Sequence, residues 1–299
     1  MALLIITTIL WAFSFSLIGE YLAGSVDSYF SVLMRVGLAA LVFLPFLRTR
    51  GQSPRTIVLY MLVGAMQLGI MYLLAFRAYL YLTVSEFLLF TVFTPLYITL
   101  IYDLLSGRKL RWGYLLSAAL AVLGAAIIRY DKVSDHFWTG LLLVQLSNLC
   151  FAIGMVGYKR LMEVRPMPQH NAFAWFYVGA FIVAVAAWFM LGNPQKLPTT
   201  RLQWSVLVWL GVVASGLGYF MWNYGATQVD AGTLGIMNNV HVPAGLLVNL
   251  AIWQEQPHWP SFISGALVIL ASLWVHRRWV APHSGQTADD RRRGSAQSE

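Results

Sequence analysis

An all-α integral membrane fold is what this 299-residue sequence predicts, on three observations. Ten apolar stretches of about twenty residues fill the chain almost end to end, each long enough to cross roughly 30 Å of hydrocarbon at about 1.5 Å per residue. Hydrophobic residues make up 59% of the chain and charged residues 11%, with a mean hydropathy of +0.66; a soluble protein carries about 25% charge. Runs such as 115–128 are apolar on every face instead of alternating, which excludes a transmembrane β-barrel.

The first stretch, 2–22, has no basic start and holds Trp11, Phe13 and Phe15 without a small-residue cleavage site. It therefore reads as a retained span and not a cleaved signal peptide. The second, 29–47, contains Arg35 and ends at Arg48. The third and fourth, 57–80 and 84–104, carry the small residues Gly64, Ala65 and Gly69 and the mid-span Pro95. A stripe of Ala118, Ala121, Gly124 and Ala125 marks the fifth, 112–129, as a packed helix. The sixth, 137–158, brings Gln145, Asn148 and the single cysteine, Cys150, which can form no internal disulfide. The seventh is 171–191, and the eighth, 203–225, has Gly211, Ser215 and Gly218 for close helix contact. The ninth, 232–253, holds Asn238, Asn239, His241 and Pro243, and the tenth is 261–279. Residues 283–299 lack apolar periodicity and read as a disordered cytoplasmic tail.

Basic residues alternate between the joints. Fourteen, including Arg48, Arg50, Arg55, Lys109, Lys159 and Arg165, fall on one side; five, Arg77, Arg129, Lys132, Lys196 and Arg201, fall on the other. The positive-inside rule then places both termini in the cytoplasm. The net charge of +8 is explained by this bias, so no nucleic-acid partner is expected.

Sliding the chain by 148 positions sets Pro95 on Pro243, Ala78 on Ala226, Tyr72 on Phe220 and Phe76 on Tyr224. Offsets near 140 align Trp11-Ala12 with Phe151-Ala152. Two five-span units, 1–130 and 136–280, follow. Five is odd, so the second unit enters the membrane from the opposite side, giving inverted repeats about a central cavity, a recurrent transporter design.

Trp11-Ala12-Phe13-Ser14 in the first span, Thr94-Pro95 and Val242-Pro243 in the fourth and ninth, and Glu255 with Gly265 beyond it carry a resemblance. The chain resembles the drug/metabolite transporter superfamily in its EamA-type ten-span branch, over residues 1–280, and within it the YddG-type exporters of aromatic and other amino acids. The resemblance implies efflux of amino acids or related metabolites across a bacterial inner membrane. Glu255 has Gly107 as its counterpart in the first unit, which makes this glutamate structural.

Depth counting places the substrate-contacting candidates near mid-membrane: Trp11, Ser14 and Phe15; the stripe Phe90, Phe93 and Tyr97; Asn148; and Asn238 with His241. His241 is either a neutral imidazole bonded to a neighbouring helix or a substrate contact titrating near neutrality. Aromatic walls could stack an aromatic ring or attract an ammonium group. Pro95 and Pro243 each remove a backbone hydrogen bond and bend their helices. Arg35, about 9 Å below the outer start of its span, can snorkel to the interface. At the same level Arg77 and Glu86 could form a pair or outer gate.

No phosphate-binding loop, metal-ligand cluster or nucleophile elbow occurs, so no cofactor and no catalytic residue is expected. The leading reading is a secondary exporter, with a single chain sufficient for the pathway and its oligomeric state open. Broader metabolite efflux, a channel and an intramembrane enzyme are the rivals.

Overall fold

The computed structural model describes residues 2–105 and 135–229 continuously, with scattered helical positions at 120, 123 and 127 and between 237 and 274. The described residues are helical throughout, without a strand. Among the described residues, seven spans are long and apolar enough to cross a membrane: Ala2–Tyr21, Ser28–Phe46, Pro54–Ala78, Val84–Tyr102, His136–Val164, Gln169–Leu191 and Arg201–Thr227. They match the first four and the sixth to eighth predicted stretches. Most of the fifth, ninth and tenth spans, and the 283–299 tail, lie outside the described residues.

Helix α1 is Ala2–Tyr21 and α2 is Ser28–Phe43, extended by a 3-10 turn at Leu44–Phe46. The third span is broken into α3 (Pro54–Gly64), a π segment (Ala65–Ile70) and α4 (Met71–Ala78). The fourth is α5 (Val84–Phe90), a 3-10 turn (Thr91–Phe93) and α6 (Thr94–Leu105). Helix α7 runs over 30 residues, Asp135–Val164, beyond the predicted 137–158. Helix α8 is Gln169–Leu191. The eighth span again carries a π segment (Leu210–Leu217), between α9 (Arg201–Trp209) and α10 (Gly218–Thr227).

Local chemistry sets the helix starts. The Asp27 carboxylate accepts from the Phe30 N–H, and the Ser53 hydroxyl from the Thr56 N–H behind Pro54. Thr83 with Glu86, and Thr200 with Gln203, form reciprocal capping boxes. Each satisfies donors that a helix start leaves open, an effect of about 1 kcal/mol.

Glycine sets the closest helix crossing. A Cβ on Gly64 would overlap the Phe176 carbonyl, and one on Gly179 would overlap the Met61 carbonyl, so α3 and α8 meet backbone to backbone. On the eighth span, a Cβ on Gly211 would stand 2.8 Å from Leu38 Cβ and 3.3 Å from the Arg35 carbonyl. Ile5, Ile9, Leu41, Leu62 and Phe189 point away from the bundle, as lipid-facing side chains do.

Contacts among the helix ends sort them into two sides. On one, Asp27 donates its backbone N–H to the Lys196 carbonyl, and Lys196 Nζ reaches the Gly24 carbonyl. On the other, Lys159 Nζ caps the end of α10 through the Ala226 and Val229 carbonyls (3.2 and 2.9 Å), and Arg165 donates to the Thr56 hydroxyl. A cation at a helix C-terminus also meets the negative end of its dipole.

Candidate functional site

A cavity opens among α1, α2, α4, α5 and α7, with about 660 Å³ of space between atoms including its open mouth. Its described lining comprises Trp11, Ser14, Phe15 and Ile18 from α1, Arg35 from α2, and Met71, Tyr72, Ala75, Phe76 and Tyr79 from the third span and its end. Phe87, Thr91 and Thr94 come from the fourth span, Ser147, Asn148 and Phe151 from α7, Tyr219 from α10, and Asn238 from the ninth stretch.

Toward the Lys159 side the space is filled. Trp11 packs on Tyr219 and Trp222, with ring centroids 4.6 and 5.1 Å away, and Trp222 Nε1 donates to Met155 Sδ. Gln67 and Asn223, both fully buried, exchange reciprocal amide bonds of 3.0 and 3.1 Å across the third and eighth spans.

The eighth-span π segment organises one wall. Widening of the helix offers carbonyls to side chains from other helices. Trp11 Nε1 donates to the Ala214 carbonyl at 2.9 Å, and the Tyr177 hydroxyl points at the Ser215 and Gly216 carbonyls at 2.6 and 3.0 Å. The Thr7 hydroxyl reaches the Gly218 carbonyl just beyond, and the Ser147 hydroxyl makes the matching bond to Met71, just beyond the third-span π segment.

Arg35 is the electrostatic centre of the cavity. It is 3% exposed, donates through Nε to Ser215 Oγ at 3.0 Å and through Nη2 to the Tyr72 hydroxyl at 2.8 Å, and those two hydroxyls are 2.9 Å apart. Its guanidinium carbon lies over the Tyr72 and Phe76 rings, 4.3 and 5.5 Å from their centroids. Among the described residues no carboxylate pairs with it. A guanidinium has five N–H donors, and the Nη1 edge carries no bond within the protein.

Arg35 therefore departs from the sequence expectation: it turns into the bundle and does not snorkel to the interface. The reason is its face. Val32, Arg35, Val36, Ala39 and Phe43 share the buried stripe of α2, so its stem starts inward. The expected gate partners also sit elsewhere. The Glu86 carboxylate turns back to accept from the Thr83 N–H at 2.9 Å, and the Arg77 guanidinium stands over the Tyr29 ring at 5.9 Å.

Trp11, Ser14, Phe15, Asn148 and Asn238 all line the cavity. Phe90, Phe93 and Tyr97 are not in its described lining; that face belongs to Phe87, Thr91 and Thr94, one position away. All of α5 is buried, so apolar periodicity had no lipid side to mark. Phe90 instead packs edge-on to Phe137, and Tyr97 donates to Gln145 Oε1 at 3.1 Å. His241 and Pro243 lie outside the described residues. Sequence reasoning passed over Ser215, Tyr219 and the Tyr72–Phe76 pair as site residues. The available signal was Arg35 itself, a basic residue well inside an apolar span.

Comparison with known proteins completes the assignment. The chain is 83% identical to the Biotin transporter of Escherichia coli (strain K12) over all 299 residues of both, and 83% identical to that of Salmonella typhimurium over the same length. It is 56% identical to the Probable biotin transporter of Pseudomonas aeruginosa over 279 residues, 93% of this chain and 97% of that one. These relatives are named as biotin transporters, and the closeness to amino-acid exporters in the sequence resemblance is not confirmed by them. A crystal structure of a protein at 17% identity superposes with a TM-score of 0.65 over 92% of this chain and 95% of its own, a likeness of fold. The sequence profile of the EamA-like transporter family matches residues 1–130 and 138–277, and this multi-pass membrane chain belongs to that transporter family.

Proposed function

We propose that the protein is a secondary carrier for biotin in the bacterial inner membrane, working by alternating access, and that Arg35 takes the substrate's carboxylate. The observation that carries this is the unpaired cation in the cavity wall. A buried charge without an opposite charge is costly, even softened by two hydroxyls and two rings. A carboxylate ligand supplies the missing charge and can meet the guanidinium edge in a two-point contact. Biotin is a monocarboxylate with a compact, largely apolar bicycle, and the Trp11, Phe15, Phe87, Phe151 and Tyr219 rings offer it an aromatic wall. For the ammonium of a zwitterionic amino acid the described lining offers aromatic faces and no carboxylate.

Alternating access is supported by an inverted repeat of 1–130 and 136–280. π segments occur in the third and the eighth span. The Thr7-to-Gly218 and Ser147-to-Met71 bonds pair positions 140 and 147 residues apart. The approach of Gly64 to the Phe176 carbonyl has its counterpart in Gly211 and the Arg35 carbonyl. Two such copies around one site give a carrier two related packings, one open to each side.

The test is labelled-biotin flux into proteoliposomes of the purified chain. Saturable flux, competed by unlabelled biotin and not by tryptophan or other neutral amino acids, is the expected result. Arg35→Met should cut it at least tenfold with insertion intact. Absence of biotin flux, or competition by amino acids instead, would overturn the substrate assignment.

A further inference from the structure

Resting on the biotin reading, we infer that Asn148 and Asn238 form a second subsite, separate from Arg35, that recognises the cyclic urea of the substrate: Asn148 supplies a fixed acceptor for a ring N–H and Asn238 a donor for the ring carbonyl.

The acceptor is built by Pro95. In an uninterrupted helix the Thr94 N–H would bond the Phe90 carbonyl four residues back. Pro95 has no N–H to offer Thr91, and the turn tightens so that both the N–H and the hydroxyl of Thr94 go to the Thr91 carbonyl. The Phe90 carbonyl thereby loses its i+4 partner, and side chains of α7 bond to it: Asn148 Nδ2 at 2.9 Å and Gln145 Nε2 at 3.2 Å. A carbonyl only accepts, so this bond fixes which end of the Asn148 amide faces it. Asn148 Oδ1 then carries no bond within the protein and stands in the cavity wall. Gln145 is held in turn by the Tyr97 hydroxyl, which braces the arrangement.

The donor is the second, independent observation. Asn238 lies in the same wall, is 1% exposed, and its Nδ2 has no hydrogen-bond partner. Orphaned buried amide groups are uncommon and costly, and a ligand that satisfies one gains what the unliganded protein forgoes. A cyclic urea presents one carbonyl acceptor flanked by two N–H donors, which complements one amide donor and one amide acceptor. A carboxylate matches Arg35 but offers nothing to Asn148 Oδ1. The cavity lining thus calls for two different groups on one molecule.

The experiment measures binding of labelled biotin to the full chain in lipid nanodiscs, with analogues altered at one group each. The 2-thio analogue weakens the ring acceptor, and ring N-methylation removes a donor. The methyl ester neutralises the carboxylate. In the wild type, the thio and N-methyl analogues should each bind about tenfold more weakly than biotin. Asn238→Leu should lose a similar factor for biotin and nothing further for the thio analogue. Asn148→Leu should behave the same way toward the N-methyl analogue. The methyl ester should lose its factor undiminished in both variants. Equal wild-type affinity for biotin, the thio and the N-methyl analogues would overturn the subsite even if neither variant folds. So would variant and analogue losses that multiply. If the wild type binds biotin and either result appears, only the subsite falls; if it binds no biotin, the substrate reading falls first.

Discussion

Arg35 is costly as a buried, unpaired cation, and the proposed carboxylate ligand would offset that cost. Its positive charge is spread over Ser215, Tyr72 and the faces of two rings, neutral partners that orient the guanidinium without quenching it. Tyr72→Phe keeps the ring and removes the hydroxyl, so the Nη2 bond is lost while the cation–π contact remains. Biotin affinity should fall about tenfold or more, the scale of one hydrogen bond to a charged group; unchanged affinity would remove Tyr72 from the site. The Gln67–Asn223 pair is a contrasting case, because each amide satisfies the other. Gln67→Leu or Asn223→Leu alone leaves a buried amide unpaired and should destabilise by about 1–3 kcal/mol, while the double substitution should cost less than the two together. Thermal unfolding in detergent reads this directly; additive losses would deny the coupling. In the sequence, Trp11, Ser14 and Asn148 were legible because depth along a span is simple arithmetic. The direction of Arg35 was not. Both faces of α2 are apolar, one toward lipid and one toward protein, and composition does not tell those two surroundings apart.

At the scale of elements, the spans were legible and their interruptions only partly so. Length and apolarity mark a membrane helix whatever it packs against, and seven stretches appear close to their predicted limits. Pro95 announced a disturbance, and the 3-10 turn at Thr91–Phe93 lies directly before it. The π segments carry no such marker: Ala65–Ile70 and Leu210–Leu217 contain no proline, and their extra residue is held by contacts from other helices. Pro95→Ala should let the Thr94 N–H return to the Phe90 carbonyl, displacing Asn148. The helix becomes more regular, so Tm should rise or hold, while biotin affinity falls several-fold, a trade between stability and function. Unaltered binding would show that the turn has no part in placing Asn148. Gly64→Leu probes the α3–α8 crossing instead. Its side chain would drive into the Phe176 backbone, which cannot yield as a flexible side chain would. Folded yield should collapse, whereas Gly24→Ala, in an open loop at φ 74°, should cost only about 1 kcal/mol.

For the whole molecule, the pseudo-symmetry and the topology stand or fall together, since an odd number of spans per copy requires the copies to enter from opposite sides. Contacts among the helix ends already divide them: Gly24, Asp27, Asn193 and Lys196 gather on one side, Thr56, Lys159, Arg165 and Ala226 on the other. That division says which ends share a side, and the charge bias gives an expectation, still to be measured, of which side is cytoplasmic. Arginines and lysines cluster at 48–55, 108–111 and 159–165, where translocation against the membrane potential is unfavourable. Single cysteines introduced at 25, 52, 109, 165 and 194, with Cys150 replaced by serine, turn this into a measurement. A membrane-impermeant maleimide applied to intact cells with a permeabilised outer membrane should label positions 25 and 194 and spare 52, 109 and 165 until the inner membrane is opened. Labelling of 52 and 165 in intact cells would invert the chain. Labelling that divides 25 from 194 would break the pairing of Asp27 with Lys196 and, with it, the antiparallel relation of the two copies. Because Arg35 lies about 10 Å below the start of α2, the same result decides which compartment its side of the cavity faces in this state.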